Sequence, residues 1–180
     1  MASSRESVTA YVALGANLGD APQAVIEALG ALDALPDTRL TKASSLYRTA
    51  PVDSSGPDYI NAVAEVATLL TAPGLLLALQ QIEQVAGRER PYQNAPRTLD
   101  LDLLLFGAAT IDSPHLTVPH PRMWDRAFVL VPLAEIAPSV VPQAALAAVQ
   151  DQSIEVAAAG STASSQQVIV CKVRSPAGCR

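Results

Sequence analysis

The stretch "RTLDLDLLLFG", Arg97 to Gly107, places two carboxylates in a run of leucines. Residues i and i+2 of a strand share a face. Leu99, Leu101 and Leu103 therefore point into a core, while Asp100 and Asp102 are neighbours on the other face, roughly 7 Å apart at Cα. Such a strand is half core wall and half acidic surface, and its place in the element order decides the fold. Before it, "SVTAYVALG" alternates Val8, Ala10, Val12 and Leu14 and predicts a first strand. "GANLGD" is a turn ending on Asp20, a good N-cap. Pro22 suits a first helical turn, and a helix is expected over Ala24 to Leu35, stopped by Pro36 and Asp37. A second strand is expected from about Arg39 to Arg48, then a loop, "APVDSSGPD". A longer strand, "YINAVAEVATLL", sets Ile60, Ala62, Ala64 and Val66 on one face and Asn61, Val63, Glu65 and Ala67 on the other. Thr71 and Pro73 open a second helix, with Gly87 where a left-handed C-terminal residue belongs. The polar loop "RERPYQNAP" leads back to the acidic strand.

The order β-α-β-β-α-β predicts an α+β fold: a ferredoxin-like βαββαβ core, an antiparallel sheet with helices packed on its faces, the two helices of the motif sharing one face. A further segment, Asp125 to Pro138, reads as partly helical, with Pro132 interrupting it or beginning a turn. Residues 1–138 hold these elements and form the expected core of the domain. Residues 139–180, rich in Ala, Ser and Gln, form an extension of the same domain, with one more strand expected at Gln167 to Val173.

Composition narrows the function. The chain has 180 residues, 49% of them hydrophobic and only 4% aromatic, so one compact core of Ala, Leu and Val is expected. A net charge of −5 argues against a general nucleic-acid or membrane-surface binder. The N-terminal residues lack a basic segment followed by an apolar one, and no run approaches the ~18–20 apolar residues of a membrane span. The two cysteines, Cys171 and Cys179, both lie in the tail and suit a reducing compartment. A cytoplasmic location is expected.

Two ionised carboxylates on one surface repel each other, and water, arginine or a divalent cation relieves the repulsion. Hard oxygen ligands of this kind suit Mg²⁺, which takes one or two carboxylates and completes its shell with water and substrate phosphates. An acidic edge strand in solvent would show the same D-x-D pattern. The surroundings favour the metal: Arg88, Arg90 and Arg97 lie just before the pair, and five of the ten arginines fall between Arg88 and Arg126. Arginine is suited to multidentate phosphate recognition. In "LTVPHPRMWDRAFVL", His120 is held between two prolines near Arg122 and Arg126, a candidate phosphate contact and a poor Zn²⁺ ligand. There is no P-loop and no dinucleotide-binding glycine motif, so arginines and metal are expected to hold any nucleotide.

"PRTLDLDLLLFG" followed by "LTVPHPRMWDRAFVLVPLAEIAP", with "ALGANLGD", "SSLYRTAP", "PDYINAV" and "IEQVAGRER" before it in the same order, resembles the 6-hydroxymethyl-7,8-dihydropterin pyrophosphokinases of folate synthesis. The resemblance covers about Thr9 to Pro138. It implies a monomeric enzyme that transfers the β,γ-diphosphate of ATP to the pterin hydroxymethyl group and releases AMP. It implies two Mg²⁺ ions on Asp100 and Asp102. Arg88 and Arg97 match loop arginines that stabilise charge on the transferring phosphates, and Asp102 is a candidate proton acceptor. Glu83, Arg90, Thr117, His120 and Arg126 match positions at ATP. Thr49, Val52, Tyr59, Asn61 and Phe128 match the pterin pocket. The loops Thr49–Asp58 and Arg88–Pro96 have the composition of lids. The chain departs from the pattern at Asn94, where some relatives carry Trp, at His115, where some carry Arg, and at Ala50, where Pro is frequent. Two rivals remain at this point: another D-x-D metal-dependent nucleotidyl or glycosyl transferase, and a non-enzymatic ferredoxin-like ligand-binding module.

Overall fold

The structure, a computed structural model, describes residues 6–51, 56–87 and 99–157. Strand β1 spans Val8–Ala16, helix α1 Ala21–Asp33, β2 Thr38–Ala43, β3 Tyr47–Thr49, β4 Tyr59–Thr68, helix α2 Ala72–Val85 and β5 Asp100–Phe106. A small hairpin follows, β6 Ile111–Asp112 with β7 Thr117–Val118. Helix α3 is Ala127–Ile136, α4 is Gln143–Ala148 and β8 is Glu155–Val156. The main sheet runs β5-β1-β4-β3-β8, with β2 also on β4. The pairings of β1 with β4 and β5, and of β2 and β3 with β4, are all antiparallel. This is the ferredoxin-like order, in which β2 and β3 stand for one interrupted strand.

Local chemistry sets most of the boundaries. Asp20 Oδ1 accepts the Gln23 N–H at 3.1 Å and caps α1. Thr71 Oγ1 accepts the Gly74 N–H at 3.2 Å and caps α2. Gly87 ends α2 at φ +83°, a conformation open to glycine at no steric cost. The strand expected over Arg39 to Arg48 is broken instead at Ser44–Leu46. There the Ser44 N–H donates to the Val63 carbonyl, and the Ser44 hydroxyl accepts the Val63 N–H, both at 2.9 Å. A side-chain oxygen replaces a ladder carbonyl, so the chain turns without stranding a buried donor.

Helices α1 and α2 cover one face. Val25, Ala28 and Leu32 of α1 and Leu75 and Leu79 of α2 meet Val12, Leu14, Ala62, Ala64, Leu101 and Leu103. The other face is covered as well: Val129, Leu130 and Leu133 of α3 pack with Val63, Leu104 and Met123. A bulge in β5 serves both layers. Val12 pairs with Leu103 and Tyr11 with Leu105, leaving Leu104 as the extra residue. Leu103 joins the α1–α2 core, and Leu104 and Leu105 both join the α3 core. Pro132 neither interrupts α3 nor begins a turn: it lies buried inside the helix. It supplies no N–H to the Phe128 carbonyl, a loss that burial of Leu130, Pro132 and Leu133 offsets. Residues 139–157 continue onto the α3 side, where Val141 and Val149 are buried, and β8 pairs with β3. The strand expected at Gln167 to Val173 lies outside the described residues.

Candidate active site

Three strands align the candidate groups in one row. Asn61 on β4 is opposite Gly15 on β1, and Gly15 is opposite Asp100 on β5. In the next row, Val63, Ala13 and Asp102 are aligned. Two interstrand spacings put Asn61 and Asp100 about 10 Å apart at Cα. Between them the floor is Gly15 and Ala13, the two smallest residue types. A Cβ on Gly15 would sit 3.3 Å from Asn61 Oδ1, so glycine is what leaves the floor open.

At one end of the row, Asn61 is only 4% exposed. Its Nδ2 donates to Thr49 Oγ1 at 2.9 Å. Oδ1 has no protein donor among the described residues, and a buried amide oxygen in that state calls for a ligand or an ordered water to complete it. Tyr59 pairs with Thr49 across β4 and β3 and is half-buried. Phe128, in the first turn of α3, is half-buried, with the Arg126 guanidinium 5.3 Å from its ring centroid. Tyr47, the cross-strand partner of Asn61, is tied to α3 because its hydroxyl donates to Glu135 Oε2 at 2.8 Å. Glu135 also accepts from the Ser45 N–H at 3.1 Å and the Ser45 hydroxyl at 2.8 Å. Burial, then the Glu135 carboxylate, push the Tyr47 phenol up to about 12.

At the other end, Asp100 and Asp102 stand on the half-exposed side of β5, as their spacing predicts. Asp102 keeps 40% of its side-chain surface and lies 4.0 Å from His120 Nε2. The β5 bulge places His120, whose backbone N–H donates to the Leu104 carbonyl at 2.9 Å. His120 Nδ1 accepts the Arg122 N–H at 3.2 Å. The neutral ring therefore carries its proton on Nε2, facing Asp102. Burial lowers the His120 pKa; Asp102 opposes this, and Arg126 and Arg122 reinforce it. Among the described residues no three His, Cys, Asp or Glu side chains gather into a metal cluster. Two carboxylates on one open face fit a cation that takes its remaining ligands from substrate, as Mg²⁺ does.

Glu83 is 2% exposed, and its Oε1 accepts the Leu101 N–H at 2.9 Å, between the two aspartates. It fixes the strand that carries them. Thr117 is exposed on the β6–β7 hairpin, paired with Asp112. Val52, Arg88, Arg90 and Arg97 lie outside the described residues. A cavity of about 410 Å³ lined by Val8, Leu70, Pro73, Phe106 and Ile111 lies at the far end of β5 and holds none of the candidate residues. Sequence reading missed Gly15, Ala13, Tyr47 and Glu135. Strand register, once the order is known, identifies the first two; Glu135 meets Ser45 across 90 residues with no local signal.

A profile of the 7,8-dihydro-6-hydroxymethylpterin-pyrophosphokinase family matches residues 11–138. The 2-amino-4-hydroxy-6-hydroxymethyldihydropteridine pyrophosphokinase of Pseudomonas aeruginosa is 48% identical over 131 residues, 72% of this chain and 81% of the relative. The protein of the same name from Haemophilus influenzae is 45% identical over 135 residues, 74% and 84% of the two chains. That from Bacillus subtilis is 41% identical over 148 residues, 82% and 89%. The crystal structure of Plasmodium falciparum HPPK-DHPS wild type with pteroate superposes with a TM-score of 0.59 at 14% identity, over 75% of this chain and 40% of that one, a likeness of fold. Over its β1-to-α3 span, the chain belongs to the 7,8-dihydro-6-hydroxymethylpterin-pyrophosphokinase family.

Proposed function

We propose that the chain transfers the β,γ-diphosphate of ATP to the hydroxymethyl oxygen of 6-hydroxymethyl-7,8-dihydropterin, giving the pterin diphosphate and AMP, a step of folate biosynthesis. The observation that carries this reading is the row Asn61–Gly15–Asp100: a buried amide with an open acceptor, a side-chain-free floor and a carboxylate shelf, within one substrate length. Asn61, with Thr49, Val52 and Tyr59, binds the pterin edge, and Phe128 covers its flat face. Asp100 and Asp102 hold Mg²⁺, two ions in this reading, and the bound metal supplies charge neutralisation at the phosphates. Arg90, Thr117, His120 and Arg126 hold ATP, with His120 donating from Nε2. Glu83 serves the nucleotide side by holding β5. Arg88 and Arg97 stabilise charge on the transferring group.

The hydroxymethyl oxygen attacks the β-phosphorus, the bond from that phosphorus to the α–β bridging oxygen breaks, and AMP leaves with the electron pair. Asp102 takes the hydroxyl proton. Positioning and charge supply most of the acceleration, because the loose transition state asks little covalent chemistry of the protein. In this reading residues 1–138 are the catalytic core, 139–180 belong to the same domain, and the enzyme acts as a cytoplasmic monomer. Among the described residues no helix is long and apolar enough to cross a membrane.

The test is an assay with protein, ATP, Mg²⁺ and the pterin, with AMP read by chromatography and Asp100→Ala and Asp102→Ala alongside. AMP and pterin diphosphate, lost in both variants, support the reading. Cleavage at the α-phosphorus, or AMP undiminished in the variants, refutes it.

A further inference from the structure

We infer that Gln152, in the segment beyond the family match, is a positioning residue that clasps the backbone on both sides of Arg126. The inference rests on the reading above for the roles of Arg126 and Phe128, and on geometry for the clasp itself. Helix α3 starts with Arg126 in the N-cap position, with φ −125° and ψ 113° and no side-chain cap of its own. N-caps are normally Ser, Thr, Asp or Asn, whose oxygens accept an orphan helical N–H. A guanidinium has only donors and cannot do so.

The missing acceptor comes from 25 residues away. Gln152 Oε1 accepts the Ala127 N–H at 2.9 Å, and Gln152 Nε2 donates to the Asp125 carbonyl at 2.8 Å. One side-chain amide thus satisfies a peptide donor and a peptide acceptor that flank Arg126. The amide carries an acceptor and a donor side by side, which an acidic or basic side chain does not: an ionised Glu accepts and cannot donate, Lys donates and cannot accept. The Arg126 side chain lies over the Phe128 ring.

Gln152 is itself anchored. Its N–H donates to the carbonyl of buried Val149 at 3.0 Å. Downstream, Glu155 and Val156 pair with Arg48 and Tyr47, and the Ala157 N–H donates to the Leu46 carbonyl at 2.8 Å. The segment from Val149 to Ala157 therefore ties the start of α3, which carries Arg126 and Phe128, to β3, which carries Thr49. Both attachments fall on walls of the candidate site, and all of the segment lies outside residues 11–138 of the family match.

The test uses the full chain with Gln152→Ala, Gln152→Glu and, as a control, Gln150→Ala, whose residue is exposed. Loss of a hydrogen bond of this kind is expected to speed exchange of the Ala127 amide roughly tenfold in Gln152→Ala. The KM values for the pterin and ATP are expected to rise about three- to tenfold with kcat changed less than about twofold, a split that general destabilisation does not give. Gln152→Glu, which keeps the acceptor, should restore Ala127 protection and recover part of the KM. Trp124, the single tryptophan, is two residues from Arg126 and should shift its emission in Gln152→Ala and not in Gln150→Ala. Unchanged Ala127 exchange, unchanged KM values, or equal losses in Gln150→Ala would overturn the inference. A parent chain inactive on the pterin would refute the functional reading alone, because Ala127 exchange and ATP affinity still decide the clasp.

Discussion

Replacing Gly15 by alanine tests the floor between the amide and the carboxylates. The new methyl would stand 3.3 Å from Asn61 Oδ1, closer than ordinary van der Waals contact by a few tenths of an ångström. Asn61 cannot yield freely, being 4% exposed and tied to Thr49 at 2.9 Å. A displaced Oδ1 misaligns the hydrogen bond it is proposed to accept from the pterin. One such bond has a net worth of about 0.5–1.5 kcal/mol, which is about two- to twelvefold in affinity. Stability should fall only slightly, because the backbone entropy that alanine saves over glycine in a strand interior offsets much of the strain at this contact. Calorimetric titration with the pterin reads the affinity, and a thermal melt reads the fold. The decisive measurement repeats the substitution in an Asn61→Ala background. If the methyl acts through Asn61, its effect disappears there. An unchanged pterin affinity, or the same loss in both backgrounds, would refute the reasoning.

Other expectations concern the groups that support the site. Glu83→Ala removes the acceptor for the buried Leu101 N–H and should cost at least about 1–3 kcal/mol in urea unfolding, with AMP formation reduced because β5 carries both aspartates. Glu135→Gln should bring the Tyr47 phenol down from about 12 toward 10, since the carboxylate is one of its causes, and leave it above 10 because burial, the larger cause, persists; ultraviolet titration would show this. Tyr11 and Tyr47 are both raised from 10.0 to about 12, so their stabilisation is complete below pH 10 and is lost as pH rises toward 12; an alkaline denaturation series would detect the loss. Glu65 works in the opposite direction. Burial raises its pKa, but donors Thr41, Lys42 and Tyr11 outweigh burial and lower it. Its stabilisation is therefore present above pH 4.5 and lost as pH falls through the lowered value. Glu65→Gln should flatten the acid limb of the stability curve.

The sequence by itself determined what local chemistry determines. Alternation in Val8–Leu14, Ile60–Val66 and Leu99–Leu103 marked the core strands, because a period of two separates faces whatever the tertiary surroundings. Asp20, Thr71 and Gly87 marked helix ends, because caps are satisfied within a few residues. The spacing of Asp100 and Asp102 put both on one face for the same reason. Only the tertiary structure decided the rest. Asn61, Gly15 and Asp100 form a row through two strand registers, and Leu104 reaches the second core through a bulge that no alternation announces. Pro132 is tolerated in α3 because burial on the sheet outweighs one lost hydrogen bond, a balance that propensity alone places the other way. Glu135 with Ser45, and Gln152 with Ala127, act across 90 and 25 residues. Such contacts leave no periodicity in the chain, because the polar groups they satisfy become partners only after the sheet and its two helical layers have assembled.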